Sequence, residues 1–279
     1  MDLLKYKMLG VINRTPNSFS DHGLSLHPEY FEAQIQSMLS DERVIIDVGF
    51  ESTAPMNVAI SFEEELDRFY SFLEASKKYS FKERFISFDT YKVQNFLIMS
   101  EAFLKIHPKA FVIFNDVSGV LDEELKVELI KFRGMNFYYI YTFSHIPERA
   151  QTLNHMKFLD EKSDIIEQTA QSFIHAHAWF KSFHMHEQLI LDPGFGFSKT
   201  YEQNWRLIDS FELLDSKLPF YNTVLVGLSK KSFLKKKLSS QDGFQDEKKL
   251  EELHKKCIRH IQKSTTKPLL FRVHDPKIL

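Results

Sequence analysis

Cysteine is almost missing from this chain. One thiol, Cys257, stands among 279 residues, so an internal disulfide is excluded and a reducing compartment, the cytoplasm, is expected. Cys257 lies in the charged run HKKCIRH and has no partner motif that would mark an activated thiol. Long apolar runs are also missing: no stretch of about 18 apolar residues could span a bilayer. The start MDLLKYKMLGVINRTP lacks the apolar core of a secretory signal. Charge of one sign is lacking too, because 36 Lys+Arg against 38 Asp+Glu leave a net −2. That gives no whole-chain footprint for nucleic acid or an anionic membrane. Only from Ser229 onward do basic residues outnumber acidic ones by more than two to one, which reads either as a solvated helix face or as part of an anion-binding rim. Without internal repeats, low-complexity tracts or linkers, residues 1–279 are expected to form one domain.

What the chain does have is alternation. β-rich runs at roughly 6–12, 43–48, 84–88, 110–115, 135–141, 188–192, 222–227 and 268–273 are separated by amphipathic stretches. These fall around 28–40, 61–78, 91–102, 121–132, 160–183, 201–214 and a composite 230–263. Such a pattern is that of repeated βα units, and the length suits a (β/α)8 barrel of typically about 250 residues. Ser61 with Glu64, and Thr200 with Gln203, have the spacing of reciprocal helix caps. After Val273 only HDPKIL remains, so the eighth helix is expected to be truncated or missing. That side of the barrel would then be left open, or covered by another element or a partner subunit, an exposed apolar strip there favouring association.

Polar side chains recur just past the strand ends. Asn13 follows KMLGVI, Asp47 to Thr53 close VII, and Asp89 closes FIS. Asn115 and Asp116 close AFVIF, Asp192 closes QLIL, Lys231 follows TVLVG, and Arg272 and His274 end LLFRVH. A parallel barrel gathers its functional groups at the carboxyl ends of its strands, so this phase predicts one shared pocket at the top. Singly, each residue also has a plainer reading: Asp47 as a cap or turn former, Gly194 and Gly196 as chain turns. The histidines of HAHAW alternate at i, i+2 on a predicted helix and share no face, so a metal site is not expected there.

Several of these segments resemble the signatures of dihydropteroate synthases, within the wider pterin-binding family. LGVINRTPNSFSD is similar to the first signature, VIIDVGFESTAP to the second, FISFDTYK to the third and FNDVSG to INDISG. LILDPGFGFSKTYEQN, LVGLSKKSFL and FRVHDP continue the match in family order, from Leu9 to Pro276. The resemblance implies a TIM barrel that joins 6-hydroxymethyl-7,8-dihydropterin diphosphate to 4-aminobenzoate with release of diphosphate, using Mg2+. It implies Asp192, Asn115, Lys231 and Asp89 as pterin ligands, with Asp89, Lys231 and Asp192 carrying the catalysis. Asn13, Thr53, Arg272 and His274 would hold the diphosphate, and Asn13 also the metal. Ser18, Phe19, Pro55, Phe197 and Ser229, together with Thr53, would form the aminobenzoate pocket. A homodimer with an altered interface is implied, since KKLEELHKKCIRHIQ is more charged than the family's helix there.

Departures from the family pattern leave a second class open, a pterin-binding paralogue without turnover that binds or regulates. Ala54 replaces the arginine of STRPG, Phe50 the second glycine of GGEST, and Lys230 an arginine that stacks on the pterin. Arg14 is a candidate to restore the missing charge. Tyr139 or Tyr141 is a candidate for an apolar wall of the pocket.

Overall fold

The computed structural model describes residues 3–14, 28–54, 57–242 and 247–278. Among them, eight parallel strands close into a barrel in sequential order, β1 pairing with both β2 and β8. The strands are β1 Met8–Asn13, β2 Val44–Gly49, β3 Phe85–Asp89, β4 Phe111–Asp116, β5 Phe137–Thr142, β6 Leu189–Asp192, β7 Val224–Val226 and β8 Leu269–Val273. The helices outside them are α1 Pro28–Leu39, α2 Phe62–Ser76, α3 Val93–Ile106, α4 Glu123–Leu129, α5 Ile165–Lys181, α6 Tyr201–Asp209, α7 Phe211–Ser216, α8 Ser232–Asp242 and α9 Glu247–Lys263. Both predicted caps are present: Ser61 Oγ accepts the Glu64 N–H, and Thr200 with Gln203 forms the full reciprocal pair. The predicted helix at 201–214 is two, because Ser210 leaves helical geometry between α6 and α7.

Side-chain parity explains both core and site. Leu9, Ile45, Phe85, Ile113, Ile140, Ile190, Leu225 and Leu270 point inward and fill the barrel, and Tyr6 closes its lower end edge-on to Phe85. Successive residues alternate faces, so the residues next to these, such as Ile46, Ile86, Phe114 and Leu191, pack outward under the helices. Two residues beyond each inward apolar side chain comes the next inward layer: Val11, Asp47, Ser87, Asn115, Thr142, Asp192, Gly227 and Arg272. The site is therefore one pleat above an apolar plug.

The same parity corrects one expectation. Tyr139 and Tyr141 face outward: Tyr139 sits edge-on to Phe114 and donates to Asp116 Oδ2 at 2.7 Å, while the Tyr141 hydroxyl meets Ser172 Oγ on α5. Thr142 is the β5 residue that lines the cavity. Among the described residues β8 is followed only by a short turn, Pro276–Ile278. Phe271 and Val273 on its outer face join the core that includes Ile258 and Ile261 of α9, with Ile278 packed against it. Beside them opens a groove of about 530 Å³, walled by Lys7, Arg43, Lys255, Arg259 and Lys267.

Candidate active site

Arg272 is the hub of the inner layer. Its Nε donates to Asp47 Oδ2 at 2.7 Å and its Nη2 to Asp89 Oδ2 at 2.5 Å, while Asn115 Nδ2 donates to Asp47 Oδ1 at 3.2 Å. Asp47 is fully buried and ties β2, β4 and β8 together, so it is more than a turn former. Burial raises the Asp89 carboxyl to about 7, against the opposing pull of Arg272 and with added repulsion from Asp47. Asp89 Oδ1 is buried without a hydrogen-bond partner. Gly49 lies where a Cβ would stand 3.3 Å from Asn13 Oδ1 and 3.5 Å from Asp89 Oδ2, so a glycine there leaves both oxygens room.

Asp192, at the end of β6, supplies the second carboxylate. Its Oδ1 accepts the Gly194 N–H at 2.8 Å. Burial raises its pKa, opposed by that bond and by Lys231. The turn is tight: Gly194 has φ +64°, and a Cβ there would meet the Phe143 carbonyl oxygen at 2.3 Å. Gly194→Ala is therefore expected to cost about 1–2 kcal/mol from the left-handed backbone alone, with the clash added to it, and to lower the midpoint of a thermal melt. An unchanged melt would show that the turn relaxes freely. Lys199 locks the same turn, its buried ammonium donating to the carbonyls of Phe143, Gly194 and Phe197. Lys231 places Nζ 4.7 Å from the centre of the Phe197 ring. Burial, reinforced by Arg272, lowers its pKa to about 8. Next to it, Lys230 is exposed and, like Ser198, takes a left-handed backbone, strain of the kind that gathers at functional sites.

His274 Nδ1 lies 3.0 Å from Ser229 Oγ. Burial and the charges of Lys230, Arg272 and Lys231 depress its pKa to about 3, so it is neutral at neutral pH. Asn115, Asp192, Phe197, Ser229, Lys231, Arg272 and His274 line one cavity. Asp89 is tied to it through Arg272, whereas Asn13, at the end of β1, is not among its lining residues. Thr53 is on the partly exposed loop after β2. Ser18, Phe19 and Pro55 lie outside the described residues. The cavity measures about 30 Å³, roughly one water's share of liquid volume, so it must open to admit a ring ligand.

The loop after β2 is held by a buried clamp that spacing alone does not reveal. Lys92 Nζ donates to Glu51 Oε2 at 2.8 Å and to the Ile60 carbonyl at 2.9 Å, and lies 3.3 Å from Glu65 Oε2. Glu51 Oε1 in turn accepts the Ile60 N–H at 2.9 Å. Both ends of the segment carrying Thr53 and Ala54 are thus fixed. Phe50 takes no glycine-only conformation; it is fully buried and edge-on to Phe69. Arg14 stacks on Phe31, 4.3 Å from the ring centre, with Nε buried and unpartnered, which sets it against α1 beside the site.

Residues 9–273 match the family model described as pterin binding enzyme. The chain is 32% identical to a dihydropteroate synthase of Escherichia coli (strain K12) over 238 residues, 84% of this chain and 76% of that protein. It is 30% identical to a mitochondrial folate synthesis bifunctional protein of Arabidopsis thaliana over 82% of this chain, but spans only 41% of that protein. The solved structure of the Thermus thermophilus dihydropteroate synthase in complex with 4-aminobenzoate superposes with a TM-score of 0.69 at 25% identity, over 100% of this chain and 92% of that one. The inward carboxylates, lysine and arginine stand on the segments through which these similarities run, and the chain belongs to the pterin-binding enzyme family, within its dihydropteroate synthases.

Proposed function

We propose that this chain condenses 6-hydroxymethyl-7,8-dihydropterin diphosphate with 4-aminobenzoate to give 7,8-dihydropteroate and diphosphate. The observation that carries this reading is the convergence of Asp192, Asn115 and Lys231 with Arg272 and His274 around one cavity. A pterin presents a guanidine-like edge of N–H donors, which the buried Asp192 carboxylate can accept in paired fashion. Asn115 commits its amide N–H to Asp47, so its carbonyl oxygen is left to accept from the ring. Lys231 donates to the ring's acceptor side. Arg272 and His274 offer N–H groups to the diphosphate oxygens, Arg272 from the guanidinium edge left by its bonds to Asp47 and Asp89, His274 as a neutral ring with one N–H.

In the reaction the C–O bond breaks and its electron pair leaves on diphosphate. Positive charge that builds on the pterin methylene is stabilised by the Asp89 carboxylate. The amine nitrogen of aminobenzoate, packed on Phe197, forms the new C–N bond and loses a proton to water. Mg2+ fits as an ion carried by the diphosphate: Asn13 Oδ1, next to Gly49, is one hard oxygen, and Mg2+ commonly keeps waters and takes the rest of its shell from phosphate. When bound it would neutralise charge on the leaving group. Cytoplasmic residence goes with this reading, and burial raises the Cys257 thiol to about 11, which keeps it inert.

The test is diphosphate release with and without 4-aminobenzoate in the presence of Mg2+. Aminobenzoate-dependent release supports the reading; pterin binding without release would favour a binding paralogue. A pH profile gives a second check. Lys231 must carry its proton to act as a cation, so kcat/KM is expected to fall above about pH 8. Lys231→Arg should remove that limb, because guanidinium stays charged; a limb that persists in the variant would assign it elsewhere. For stability the sign is opposite. The lowered pKa means that the charged Lys231 destabilises the fold fully below about 8, and the cost disappears as pH rises toward the ordinary lysine value of 10.5.

A further inference from the structure

Thr142 lies outside the matched signatures, at the end of β5, between the strands that carry Asn115 and Asp192. In the β5–β6 register it is the direct neighbour of Asp192. Both residues point inward in the same layer, so their side chains start about 5 Å apart, the spacing of adjacent strands. Thr142 is 1% exposed and lines the cavity. Its place is well defined. The N–H of the next residue, Phe143, donates to the Asp192 carbonyl at 2.8 Å, and the Thr142 Cγ2 methyl lies against Gly194, where a Cβ would stand 3.1 Å from it. The other branch of the side chain, Oγ1, is buried and has no hydrogen-bond partner. A buried hydroxyl left unpaired is costly, and valine, equally β-branched, would fill the same space without that cost. A hydroxyl in this place therefore has a use when the cavity is filled.

The amino edge of a pterin supplies the missing partner. That edge carries one ring N–H and an exocyclic amino group with two more. A carboxylate that accepts in paired fashion takes the ring N–H and one amino N–H, which leaves the second amino N–H to be met by a neighbouring acceptor. The Thr142 hydroxyl has the lone pairs for it and stands next to Asp192 at the same height in the barrel. Resting on the function proposed above, we infer that Thr142 is a specificity-determining residue, whose Oγ1 accepts the second N–H of the pterin 2-amino group beside Asp192.

Two substitutions separate the branches of this side chain. Thr142→Val keeps the shape and the methyl against Gly194 but loses Oγ1; Thr142→Ser keeps Oγ1 and loses the methyl. Calorimetry with 6-hydroxymethyl-7,8-dihydropterin diphosphate is expected to show a Kd raised about five- to tenfold in Thr142→Val, with Tm unchanged or raised because an unpaired buried hydroxyl is gone. Thr142→Ser should show the reverse, a Kd within about twofold of wild type and a lowered Tm. The KM for 4-aminobenzoate should stay within about twofold in both. The analogue that lacks the 2-amino group should bind wild type and Thr142→Val alike. An unchanged pterin Kd in Thr142→Val, or affinity that simply follows Tm across the two variants, would overturn the inference in favour of a packing role. An equal loss with both ligands would assign the hydroxyl to another ring atom and overturn it as well. Because the readout is binding, a chain that takes up the pterin diphosphate but makes no dihydropteroate refutes the synthase reading while the two variants still decide the role of Thr142. No pterin binding by wild type removes both.

Discussion

Asp192→Ala is expected to lower kcat/KM for the pterin diphosphate by a factor of at least about a hundred to a thousand. The carboxylate is buried at the end of β6 and is oriented by the Gly194 N–H. Removing one partner of a buried charge-assisted pair typically costs about 3–5 kcal/mol, since the ligand's donors are then desolvated with nothing to meet them. Asp192→Asn keeps the shape but loses the charge and turns one acceptor into a donor, and should cost about 1.5–3 kcal/mol or more. The readouts are steady-state kinetics and direct pterin binding. Both should fall together, because the contact is made in the ground state as well as the transition state. A variant that bound pterin normally but turned over slowly would place Asp192 in the chemistry and not in ring recognition.

The largest stability effect is expected at Lys92. Its ammonium is 5% exposed between Glu51 and Glu65. Lys92→Met would leave two buried carboxylates without their cation, at about 3–5 kcal/mol, or a drop of roughly 10 °C in Tm for a domain of this size. Burial already raises the Glu65 pKa with Lys92 opposing it, so Glu65 would take up a proton more readily in the variant. Adding Glu51→Gln and Glu65→Gln to Lys92→Met should return most of the lost stability. It would not return the loop geometry, since the bond from Lys92 to the Ile60 carbonyl is gone. A triple variant with restored Tm and weakened binding of diphosphate is therefore the expected pattern. Full recovery of both would show that the clamp is only a packing device.

Much of this architecture is legible in the sequence because each strand carries the same message twice. An apolar inward residue fixes the phase, and a polar residue two positions later, as in Ile45 and Asp47 or Ile190 and Asp192, marks the pocket. The predicted strand starts fall within two residues of the observed ones for the same reason. Periodicity cannot say which polar groups pair across the barrel. Arg272 meets Asp47 and Asp89 from a separation of well over a hundred residues, and only closure of β8 on β1 brings them together. Tyr139 and Tyr141 are misplaced when a strand end is read as an aromatic wall without counting parity, which puts Thr142 inward. Glu51 and Lys92 stand in plain view in GFEST and DTYK, yet their pairing needs the shear between neighbouring strands. Phe50 illustrates the reverse: a residue foreign to the pattern proves compatible, since the ring finds a pocket among Phe69 and Phe72.

The most direct measurement is mass-resolved product analysis of the purified chain supplied with 6-hydroxymethyl-7,8-dihydropterin diphosphate, 4-aminobenzoate and Mg2+. Equal molar appearance of 7,8-dihydropteroate and diphosphate, lost in Asp192→Ala, is the result expected from the cavity shared by Asp192, Lys231 and Arg272. Diphosphate without dihydropteroate, or bound pterin with neither product, would contradict a synthase and leave a pterin-binding barrel without its condensation chemistry.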